Sequence, residues 1–63
     1  MTDQMIQETI ASAIRQSMKF NICWILSNGN ELLTAVTAFR KEELKAEGYW
    51  VAAIYEHGYQ VDF

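Results

Sequence analysis

The chain has no proline, one cysteine, one histidine and three glycines in 63 residues. Each scarcity excludes something. A lone Cys23 cannot form an intrachain disulfide, which excludes a stapled secreted miniprotein. One cysteine and one histidine cannot supply the four ligands of a structural zinc site, and nothing in the chain implies another metal or a cofactor. The glycines, Gly29, Gly48 and Gly58, lie far apart, and none leads into the Lys-Ser or Lys-Thr pair of a phosphate-binding loop. The start, Met1-Thr2-Asp3-Gln4, lacks the basic residues and the apolar run of a signal peptide. Long hydrophobic runs are missing too. Phe20 to Phe39 comes nearest to the roughly 20 residues that cross a bilayer, but Ser27-Asn28-Gly29-Asn30-Glu31 lies at its middle. The expected compartment is the cytoplasm, with no membrane span.

What is present is apolar. The composition is 51% hydrophobic and 13% aromatic, which excludes a disordered chain. The length suits one domain, residues 1–63. A fold of about 60 residues buries only some 60% of the surface its unfolded chain exposes. The apolar content therefore exceeds what so small a core is expected to hide. Five basic against eight acidic residues give a net charge of −3, enough for solubility and unfavourable for phosphate backbones. The bases form two groups, Arg15 with Lys19 and Arg40 with Lys41 and Lys45. Glu42, Glu43 and Glu47 are interleaved with the second.

Ile6, Ile10, Ala13, Ile14, Ser17 and Met18 recur at helical spacing. A helix is expected from about residue 3 to 18, capped by Asp3 or Thr2. The next segment, Phe20 to Leu26, is aromatic and β-branched and runs into Asn28-Gly29, the strongest short hairpin signal. A two-residue turn there sets Leu26 opposite Glu31, Trp24 opposite Leu33 and Ile22 opposite Ala35. Phe20, Ile22, Trp24, Leu33 and Ala35 then share one face, and Cys23, Ile25, Leu32 and Val36 the other. Both faces are apolar, so both need a cover. Arg40 to Glu47 reads as a short helix. Tyr49 to Tyr55 and Tyr59 to Phe63, on either side of Glu56-His57-Gly58, read as a second hairpin. The fold class is therefore α+β, in the order helix, hairpin, short helix, hairpin. The alternative is an all-α helical hairpin with a short third helix, assembled as a dimer. No repeat, linker or family motif is visible.

Catalytic sets are missing. Cys23 lies in an apolar run and reads as a small core residue, and His57 reads as a polar turn residue with no co-ligand. Glu42 and Glu43 are adjacent on a helix and diverge by about 100°. The chain is not expected to be an enzyme. The aromatic residues stand out instead, and Trp24, Tyr49, Trp50, Tyr55, Tyr59 and Phe63 are the candidates for core or interface. Trp50→Ala is expected to unfold or dissociate the protein. The resulting reading is a small cytoplasmic, non-enzymatic accessory or regulatory protein of the kind carried by bacteriophages and mobile elements. It would act through protein–protein contacts, as a homodimer and on a larger host or viral protein. The alternative is a nucleic-acid-binding regulator using Arg15, Lys19, Arg40, Lys41 and Lys45.

Overall fold

The computed structural model describes residues 2–61. Two helices and four strands follow in the order α1 (Asp3–Phe20), β1 (Ile22–Ser27), β2 (Leu32–Ala35), α2 (Ala38–Ala46), β3 (Trp50–Glu56) and β4 (Tyr59–Val61). The class is α+β, and residues 20–39, which the all-α alternative kept helical, contain a β-hairpin. The strands make one antiparallel sheet in the order β2-β1-β3-β4.

Each helix begins on a threonine. The Thr2 hydroxyl accepts from the Met5 N–H at 3.2 Å, and that of Thr37 accepts from the Arg40 N–H at 3.1 Å. The first helix runs to Phe20 and is closed by Asn21 at φ +78°, ψ −38°, a positive-φ conformation that asparagine enters more readily than most residues. Phe20 is thus helical, and the strand it was expected to open begins at Ile22. The second helix ends in a Schellman motif. The Tyr49 N–H donates to the Leu44 carbonyl at 3.0 Å and the Gly48 N–H to the Lys45 carbonyl at 3.1 Å, with Gly48 at φ +101°.

The alternation of β1 divides the core in two. Cys23 and Ile25 face α1 with Ala13 and Tyr55, and Ile10, Ile14, Leu32 and Val36 pack around them. On the opposite face Leu26 meets Ala35 and Leu44 of α2, with Trp24, Leu33, Tyr49 and Val51 alongside. The sheet is therefore the middle of three layers. Two apolar faces of one strand require two covers, and the chain supplies one from each helix. The accessible surface is 4223 Å², against about 4,200 Å² for a folded monomer of this mass.

The two turns exchange the roles expected of them. In the first, Ser27 pairs with Leu32 and Leu26 with Leu33, a register two residues away from the expected one. The Asn28 Oδ1 accepts from the N–H groups of Asn30 and Glu31, both at 2.9 Å. That makes Asn28 the anchor of a four-residue loop. Only Gly29, at φ +92°, lies in the left-handed region there, whereas a type I′ turn needs two such residues. The second hairpin has the two-residue turn. His57 at φ +51° and Gly58 at φ +89° connect the facing residues Glu56 and Tyr59. Gly58 also donates its N–H to the buried Ser17 hydroxyl at 2.9 Å, tying the turn to α1. In β3 the register shifts between Ala53 and Val51, which makes Ala52 a bulge residue.

Two outcomes follow. Leu26 is 0% exposed, so Leu26→Ala is expected to cost about 2–5 kcal/mol in chemical denaturation, most of the stability of a domain this small. Phe39→Ala, at a side chain 76% exposed, is expected to stay within about 0.5 kcal/mol. Changing His57 tests the turn. His57→Asn is expected to raise the melting temperature, because Asn-Gly is the favoured pair for this geometry. His57→Val is expected to lower the melting temperature, because a β-branched side chain is disfavoured at positive φ where histidine is tolerated.

Candidate functional site

The two covers are unequal. An 18-residue α1 is about 27 Å long, whereas the nine residues of α2 span about 13 Å. The seven residues of β3 extend roughly 20 Å. The shorter helix therefore reaches only part of its face, over Leu26, Leu33 and Val51. Two cross-strand rows lie at its edge and beyond. Trp24, Ile54 and Val61 form one, and Ile22, Glu56 and Tyr59 form the next. Ile22, Ile54 and Val61 are half-buried and belong to neither core cluster, and Tyr59 is 78% exposed. This open half of the sheet is the candidate site.

Its charges sit at opposite ends. From α2, the Lys41 ammonium lies 4.9 Å from the centre of the Trp24 ring, within cation–π range. It also lies 3.6 Å from the Glu42 carboxylate. At the other end Glu56 is exposed, with no ion pair among the described residues. An apolar strip with a cation at one end and an anion at the other is complementary to itself when turned about a two-fold axis.

The aromatic candidates disperse. Trp24 and Tyr59 share the open half. Tyr55 faces the other way and is buried against α1. Tyr49 packs on the Leu26–Leu44 cluster, and its hydroxyl donates to the Glu31 carboxylate, which ties the β1–β2 loop to the start of β3. That hydrogen bond raises the Tyr49 pKa, with burial and the negative charges of Glu31 and Glu47 adding to it. Trp50 lies at the far end of β3 beside Gly29 and is 53% exposed. Trp50→Ala is expected from the sequence to unfold or dissociate the protein; an indole this exposed contributes less to folding than a buried one. Phe63 lies outside the described residues. Ile22, Ile54 and Val61 are not among the residues singled out from the sequence, and Lys41 is singled out there only as a phosphate contact. The only signal for the three strand residues is alternation, which does not say which apolar face stays open.

The five cations do not gather into one groove. Arg15 and Lys19 are on α1 and the other three on α2, across the sheet from it. Arg40, Lys41 and Lys45 each lie within 3.7 Å of a glutamate on their own helix. Cys23 is wholly buried, and His57 is exposed in its turn. No three His, Cys, Asp or Glu side chains among the described residues come together as a metal would need. Nor is any helix there long and apolar enough to cross a membrane. Comparison with protein-family models, curated proteins and solved structures finds no match for this chain.

Burial raises the Cys23 pKa above the ordinary thiol value of 9.0, only partly offset by a backbone hydrogen bond at Ala35. The native thiol keeps its proton at a pH where the unfolded chain loses it. This contribution to stability is full below the ordinary value and is lost as pH rises through the native one. Tyr49, from its ordinary value of 10.0, acts in the same direction at higher pH. Wild-type stability is expected to fall between about pH 8 and pH 10 more than that of Cys23→Ala. Denaturation curves that show the same loss of stability between the two pH values for both proteins would contradict this.

Proposed function

We propose that the protein is a small non-enzymatic accessory or regulatory module of the cytoplasm. It associates with a second copy of itself through the open half of its sheet. The observation that carries this reading is the pair of rows Trp24-Ile54-Val61 and Ile22-Glu56-Tyr59, of which α2 reaches only Trp24. Tyr59 and the Lys41-topped Trp24 supply the amphipathic aromatic groups common in interfaces. A two-fold pairing brings Lys41 of each copy toward Glu56 of the other. Three strands by three residues amount to about 150 Å² of flat sheet, far below the roughly 800 Å² per partner of a standard interface. The outer surface of α2 and the β3–β4 turn must contribute, and the dimer is of the weak, exchanging kind.

Sedimentation over a concentration series tests it. A monomer–dimer equilibrium in the micromolar range is expected. Lys41→Glu and Glu56→Lys are each expected to weaken it roughly tenfold, and the double exchange to restore it. A chain that stays monomeric at millimolar concentration, or a double variant no better than the singles, would sink the proposal. Retention of duplex or single-stranded nucleic acid at low salt would favour Arg15, Lys19, Arg40, Lys41 and Lys45 as the working surface instead.

A further inference from the structure

The outer edge of β2 is a second unfinished surface, on a different part of the molecule. The order of strands puts β2 at one end of the sheet, with its outward backbone groups unpaired by any strand. Proteins blunt such edges with shortness, lysine, proline, a bulge or a cover, and β2, at four residues, has only the first. This strand, Leu32-Leu33-Thr34-Ala35, has no charge and no proline, and it pairs with β1 without a register shift. Beside it runs a groove of about 330 Å³ between the strand and the first turns of α1, lined by Met5, Glu8, Thr9, Ser12, Leu32 and Thr34. The Gln16 amide bonds both the Ser12 hydroxyl, at 2.7 Å, and the Thr34 hydroxyl, at 3.2 Å, and so holds helix to strand beside the groove.

Backbone and charge select the occupant. The outward N–H and C=O groups of β2 can be paired by an extended chain, whereas a helix has already bonded its own. The groove's only ionisable lining residue is Glu8, and α1 carries Asp3 and Glu8 but no cation before Arg15. Pairing β2 with the β2 of a second copy would align two such acidic half-helices on one face of a joined sheet. Like charges facing one another argue against that arrangement. We propose that the groove receives an extended segment of another protein, added to β2 as a fifth strand, with a basic side chain set toward Glu8. This mode of recognition draws affinity from main-chain hydrogen bonds and specificity from alternate side chains. It is independent of self-association, which uses a different face.

The test selects binders from a library of random displayed peptides against the immobilised full chain, then titrates synthetic copies into the isotope-labelled protein. Enriched peptides are expected to alternate apolar residues with Lys or Arg. They should shift the backbone amides of Leu32 to Ala35 while leaving those of Ile54 to Val61 in place. N-methylation of one alternate set of peptide amides should abolish binding, and methylation of the other set should spare it. Glu8→Lys should weaken binding roughly tenfold. The proposal is overturned if no peptide is enriched, if the shifts map to Trp24, Ile54 and Tyr59, or if neither methylated set loses binding. It is equally overturned if the β2 edge amides are already protected from hydrogen exchange in the protein alone.

Discussion

Everything in this fold depends on β1 being apolar on both faces. Ile22, Trp24 and Leu26 point one way and Cys23 and Ile25 the other. A half-polar strand could be covered by one helix and leave its polar side in water. This strand needs two covers, and a chain of 63 residues has little material for them. It spends 18 residues on α1 and nine on α2. The disparity has a direct structural consequence. One face of the sheet is closed from Leu32 to Tyr55, while the other is closed over Leu26 and open beyond Trp24. The candidate interaction face is thus the remainder of a packing problem solved on one side only.

The layering is legible in the sequence because alternation has a period of two. The loop after β1 moves the pairing by two residues from the expected register, yet Trp24 still shares a face with Leu33 and Ala35, and Ile25 with Leu32. An odd shift would have turned every side chain to the wrong layer. Turn chemistry is less legible. Asn28-Gly29 has the composition of a two-residue turn, but an asparagine side chain can also accept from the backbone further along. Here Asn28 does so, and the loop opens to four residues. The tight turn falls at His57-Gly58, where histidine takes a conformation that it adopts less readily than asparagine. Ala52, an unpromising strand residue, proves compatible with a strand because it occupies a bulge.

The site itself was only partly visible. Tyr49, Trp50, Tyr55 and Tyr59 look like a cluster in the sequence, but an extended strand separates neighbours that a helix would gather. Tyr55 and Tyr59 lie on opposite faces, and Trp50 and Glu56 lie roughly 20 Å apart along β3. The face that does form draws on residues 22–24, 54–56 and 59–61, three segments joined only by sheet order. Nothing local to any of them says that they will meet. Trp24 was identified as an interface candidate on composition alone. Its neighbours required the topology.

Lys41 stands where the covered and open parts of the face meet. Its ammonium lies above Trp24, the largest apolar side chain of the open half. In the proposed dimer the same ammonium would be offered to Glu56 of the other copy. To do this it must give up part of its contact with Glu42 and with the indole. The two uses compete for one charge, so association exchanges contacts more than it adds them. A patch of this size cannot outweigh that exchange by a wide margin. The physical expectation is a reversible equilibrium whose position a larger partner at the β2 edge, a surface Lys41 does not occupy, could leave untouched.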